Sequence, residues 1–221
     1  MTDVYISPEV AEVEALHPYL AEAAFRALSI QDQIVKQAQI VQKAHAAGDR
    51  RCRMHVMSWW PNARGKTLDD VMAARLTRED ALQSMSREYG FHDWEEVAAM
   101  GDAAPVLSFE QALDDMLAGD IAQLRAQLER APQLATARSA YGHRSTLLHY
   151  LGANGVESHR QKIPLNAVAL ARLLIDRGAD IHAEANMYGG GQTAGALAST
   201  SAHPHRAGIS DALNRILGAA D

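Results

Sequence analysis

A single cysteine, Cys52, occurs in the 221 residues, so no intramolecular disulfide can form and a cystine-stapled secreted domain is excluded. Aromatic residues are only 5% of the chain, and no stretch approaches the roughly 18 uninterrupted apolar residues that a membrane-spanning helix needs. The opening Met1-Thr2-Asp3-Val4-Tyr5 lacks the basic and apolar regions of a secretory leader. The expected compartment is therefore the cytoplasm. A basic excess is missing too. The formal net charge is −6 and the pI about 5.9, which argues against a dedicated nucleic-acid binder and suits solubility.

What is present is an ordinary globular balance, 48% hydrophobic and 22% charged. The apolar set is dominated by Ala, Leu, Val and Met. Ala and Leu favour helix, and small side chains let helices approach closely. These features predict an all-α chain, one large domain or two small ones.

Helical spacing predicts a first helix over about 8–28, bent or broken at His17-Pro18. A second is expected over about 30–46, with Ile30, Ile34, Ala38 and Val41 on one face and Gly48 as its stop. Thr77 with Asp80, Asp93 with Glu96, and Ser108 with Gln111 read as capping pairs. Residues 101–107, around Pro105, read as a boundary between an N-terminal helical region (1–101) and a C-terminal part (108–221). In that second part, paired helices alternate with turns: Phe109 to Leu117 and then Ile121 to Arg130, next a helix over Leu165 to Arg177, and last a helix carrying Ile209, Leu213 and Leu217. Repeated helix pairs are the signature of a solenoid.

Thr146-Leu147-Leu148-His149, then Gly155, then Leu173-Leu174-Ile175-Asp176-Arg177-Gly178-Ala179-Asp180 resemble the opening and closing segments of the ankyrin repeat. Ser86-Arg87-Glu88-Tyr89-Gly90-Phe91-His92-Asp93-Trp94 is similar to a segment that precedes the repeats in a group of bacterial ankyrin proteins. The resemblance implies an irregular solenoid of about three helix pairs. In it, the motif histidine, His149, would hydrogen-bond the neighbouring turn. Gly155 and Gly178 stand nearly twice as far apart as the family spaces them, so an inserted loop is expected near 156–166. Thr193-Ala194-Gly195-Ala196 lacks the motif's proline, leucine and histidine, and no polar capping repeat follows the last helix pair. That bare end leaves open a homo-oligomer or a covering partner.

The resemblance further implies a non-catalytic scaffold that binds another protein through its turns, or fingers. The partner-binding residues expected on that ground are Tyr141, His143 and Arg144 of one finger and Asn186, Met187 and Tyr188 of the next. His159, Arg160 and Gln161 of the inserted loop are expected to close over what binds. No cofactor is expected. Two other classes each match part of the sequence. A metal-dependent hydrolase would use His143, His149, His159, His203 and His205, although the spacing of His203-Pro204-His205 does not put two imidazoles on one helix face. A nucleic-acid regulator would use the basic segment 50–66 with Trp59 and Trp60, but such tryptophans more often fill gaps between helices. Gly189-Gly190-Gly191 lacks the Gly-Lys-Ser/Thr ending of a phosphate loop and reads as a hairpin tip. Cys52 with His55 is the one nearby nucleophile–base pair, and no orienting acid accompanies it in the sequence.

Overall fold

The computed structural model describes residues 2–218. They are built mostly from helices, and the few strands are two residues long. The chain divides into two compact units. One is Pro8–Pro105; the other runs from Val106 onward and takes in the segment up to Ser7. The break lies between Pro105 and Val106, and the first residues belong with the second unit.

That assignment has a local cause. Strand β1 (Val4–Tyr5) pairs antiparallel with a strand from the inserted segment, Val4 opposite Pro164 and Tyr5 opposite Ile163. The Leu165 N–H extends the ladder to the Asp3 carbonyl at 2.9 Å.

In the unit Pro8–Pro105 the helices are α1 (Pro8–Leu16), α2 (Ala23–Arg26), α3 (Ile30–Ala46), α4 (Arg53–Trp59), α5 (Leu68–Ala73), α6 (Arg78–Glu88) and α7 (Trp94–Ala99). The expected first helix stops at Leu16, before His17-Pro18, because Pro18 has no amide to continue it. Helix α3 matches its expected span; the Ser29 hydroxyl caps it by accepting the Asp32 N–H at 3.1 Å. Thr77 and Asp80 form a reciprocal capping box on α6, and Asp93 accepts the Glu96 N–H on α7. The core here includes Val10, Ile30, Ile34, Val41, Val56, Met85 and Tyr89.

The second unit contains α8 (Leu107–Leu117), α9 (Ile121–Arg130), α10 (Leu147–Tyr150), β2 (Ile163–Pro164), α11 (Ala167–Asp176), β3 (Glu184–Ala185), β4 (Gln192–Thr193), α12 (Ala194–Thr200), α13 (Ala202–Arg206) and α14 (Ser210–Leu217). Helix α8 packs on α9, α9 on α11, α10 on α11 and α12, and both α11 and α12 on α14. Leu113, Leu117, Leu124, Leu128, Leu147, Leu170, Leu174, Leu197, Leu213 and Leu217 join in one continuous apolar core. Its burial, at about 25 cal/mol per Å² of apolar surface, is what drives these helices together.

Two local expectations are corrected, at the start of α8 and in the inserted segment. Ser108 and Gln111 form no capping box: α8 begins at Leu107, its N-cap position is Val106 with no side-chain cap, and the Gln111 amide turns to Asp115. His203-Pro204-His205 lie on a short helix, α13, capped by Ser201. Proline is tolerated in a first helical turn, where amides lack intrahelical acceptors. The inserted segment is not an open loop: Val156, Glu157, Ser158, Arg160 and Ile163 are buried.

Candidate interaction surface

Two turns project from the helix pairs of the second unit. The first finger is closed by the Ser139 N–H to the Ser145 carbonyl at 2.8 Å and by the Arg144 N–H to the Tyr141 carbonyl at 3.0 Å. The second is the hairpin of β3 and β4, Glu184 opposite Thr193 and Ala185 opposite Gln192. The fingers are tied side by side. The Asn186 N–H donates to the His143 carbonyl at 2.8 Å, and the Asn186 side chain reaches the Gly142 carbonyl at 3.3 Å. The Arg138 guanidinium donates to the Arg144 carbonyl at 2.8 Å and the Glu184 carbonyl at 2.6 Å.

His149 anchors the second finger from below. Its Nδ1 accepts the Thr146 N–H at 3.1 Å, so the proton of the neutral ring sits on Nε2. Nε2–H then donates to the Gln192 carbonyl at 3.1 Å. Burial holds this imidazole at a pKa of about 4, against weaker opposing hydrogen bonds. His149 is thus a neutral strut between α10 and β4.

Each finger carries one exposed side chain on left-handed backbone. Arg144 has φ 54° and Tyr188 φ 52°. A residue with a Cβ costs on the order of 1 kcal/mol more than glycine in that region. Arg144 is exposed and makes no side-chain hydrogen bond or ion pair among the described residues. Tyr188 is 64% exposed, and its hydroxyl donates to Asn154 Oδ1 at 2.6 Å. Its ring lies over Gly155, where a Cβ would fall 2.6 Å from Met187 Sδ and 3.1 Å from Tyr188 Cε2. Asn186 is exposed and His159 half-buried.

The other expected contacts are corrected, because Tyr141, His143, Arg160, Gln161 and Met187 are buried and cannot meet a partner from there. Their environment explains it. Glu110 of α8, Glu157 and Arg160 form an interior ion cluster. Arg160 donates to Glu110 Oε2 at 2.5 Å and to Glu157 Oε1 at 3.2 Å. His143 Nδ1 accepts the Ser145 N–H at 3.2 Å, which leaves Nε2 to face Glu157 Oε2 at 3.5 Å. The Tyr150 hydroxyl donates to Glu157 Oε1 at 3.4 Å. Burial alone would raise the Glu157 pKa, but Arg160 and His143 outweigh it and hold the carboxyl at about 2. Burial lifts the Tyr141 and Tyr150 phenols well above their usual range. Two carboxylates around one guanidinium lock the inserted segment to α8 and leave no open side for chemistry. In sequence, the only hint was the spacing of Glu157 and Arg160.

Among the described residues no three His, Cys, Asp or Glu side chains are grouped to hold a metal ion. In the unit Pro8–Pro105, the Cys52 Sγ–H donates to the Asp49 carbonyl at 3.1 Å, and burial pushes its pKa up to about 11, the reverse of nucleophilic activation. His55 is held instead between Glu88 on Nδ1 and Ser84 Oγ on Nε2, the latter at 2.9 Å. Hydroxyl, imidazole and carboxylate stand in the order of a hydrolytic triad, a constellation the sequence reading missed. Ser84 is 0% exposed, however, and its hydroxyl donates to the Ala81 carbonyl at 3.1 Å, so no substrate carbonyl can reach it. In the basic segment, Arg50 pairs with Asp69, Arg51 with Asp49 and Arg53 with Glu12. Trp60 is buried with its ring edge-on to His45. Trp60 is thereby committed to the core, whereas the Arg50 and Arg51 pairs lie at the surface, where ion pairs contribute little.

No helix among the described residues is long and apolar enough to cross a membrane. None of the exposed large apolar side chains lies on α12, α13 or α14. Comparison with protein-family models, with curated proteins and with solved structures gave no match.

Proposed function

We propose that this chain is a non-catalytic scaffold that binds another protein, an irregular ankyrin-type solenoid following an N-terminal helical region, and that it works in the cytoplasm. The observation that carries the reading is the pair Arg144 and Tyr188. Each is a large exposed side chain kept on left-handed backbone at a fingertip, while the finger beneath it is fixed to the core. Backbone strain held at an exposed site is a mark of function rather than of stability. Arg and Tyr are also residue types that anchor interfaces, since they offer large contact area with directional polar ends. The His149 strut to Gln192 supports the repeat reading, because it is the bond that the resemblance implies for the motif histidine.

The exposed half of the surface is therefore Arg144, Asn186 and Tyr188, with His159 at its margin. The test is affinity capture from the source organism, comparing the natural chain with a variant carrying Arg144→Gly and Tyr188→Ala. The variant is expected to lose the captured protein while its thermal midpoint stays within a few degrees. Recovery of the same proteins in the same amounts by both chains would rule this surface out.

A further inference from the structure

The structure assigns a second docking surface, in the groove between α9 and α11, to a short acidic peptide segment that also carries apolar side chains. The groove holds about 720 Å³ and is lined by Ile121 and Arg125 of α9 and by Val168, Arg172 and Asp176 of α11, with Arg177 just beyond. That volume matches sites that take a few side chains rather than a whole domain. Its charge is the second observation. Arg125 and Arg172 are exposed, and neither makes an ion pair or side-chain hydrogen bond among the described residues. Arg177 is shared with Glu129 at 3.1 Å. Three guanidiniums against the one lining carboxylate, Asp176, leave the groove net positive and point to carboxylates as the complement. Guanidinium recognises carboxylate through two parallel N–H···O bonds. The part-exposed apolar residues Ile121 and Val168 give such a segment something to bury, as in helix-in-groove recognition. None of the fingertip residues lines this groove, so it stands apart from the surface proposed above.

The test uses the full chain, isotopically labelled, and a synthetic amphipathic peptide with leucines at helical spacing and glutamates between them. Resonances of α9 and α11 are expected to shift on titration, with affinity falling as salt rises. The variant carrying Arg125→Glu and Arg172→Glu is expected to weaken binding at least tenfold with an unchanged circular-dichroism spectrum, since both side chains are exposed. Three outcomes overturn the assignment: no shifts in α9 or α11, equal binding of a peptide with lysine in place of glutamate, or inorganic phosphate alone reproducing the shifts at similar affinity. Shifts confined to residues 139–146 and 184–193 would also sink the groove, while leaving the fingertip reading intact.

Discussion

Neighbouring residues of the same finger have opposite fates. Arg144 stands in solvent with strained backbone, whereas His143, one position before it, is buried against Glu157. Arg160 of the inserted segment repeats the contrast with Arg144: the same side chain is locked between two interior carboxylates in one place and uncommitted in the other. The difference teaches where binding capacity resides. A buried guanidinium is already satisfied, and an exposed one keeps its donors for a partner.

Arginine replacements sharpen that contrast most. Arg160→Ala leaves Glu110 and Glu157 buried without their cation, and removal of one partner from a buried ion pair costs about 3–5 kcal/mol. Denaturant unfolding is expected to show that loss for Arg160→Ala and a change within about 0.5 kcal/mol for Arg144→Ala. Equal effects at the two sites would break the comparison.

Proton binding gives the next largest effect. His149 is held neutral in the fold at about 4, below the ordinary value of 6.5. Between these values the unfolded chain binds the proton and the folded chain does not, so stability falls as pH drops from about 6.5 to about 4 and levels off below. The expected contribution is about 3 kcal/mol at 1.36 kcal/mol per pH unit. His17, also lowered to about 4 by burial, adds the same sign in the unit Pro8–Pro105. Measured by urea midpoints against pH, His149→Gln is expected to remove only the part of the slope that belongs to the unit of Val106 and beyond. Glu157 is expected to stay ionised throughout, because its carboxyl is held at about 2.

The smallest effect is the most diagnostic. Arg144→Gly relieves left-handed strain, offset by glycine's greater freedom in the unfolded chain, so stability is expected to stay level or rise by less than about 1 kcal/mol. A loss above about 1 kcal/mol would show that Arg144 holds the finger together and would remove the strain argument for its role.

Elements with their own start and stop signals were legible in the sequence. Helix α3, the break at Pro18, the capping box at Thr77 and Asp80 and the helix ending near Arg177 all rest on contacts within a few residues. The exposure of Arg144, Asn186 and Tyr188 was legible because a turn's tip faces outward; the burial of Tyr141 and His143 was not, because what lies beneath a turn is set elsewhere in the chain. The inserted segment shows why. Its burial depends on β1, more than 150 residues away in sequence, and on Glu110 of α8.

By itself, the order of residues determined the helices that carry their own caps and stops, α3, α6 and α7 among them, since hydrogen bonds and caps act over a single turn of backbone. Only the tertiary structure decided which polar side chains were drawn inside, because burying a charge depends on whether a distant residue arrives to compensate it. Arg160 found two carboxylates and became interior; Arg144 found none and stayed at the surface.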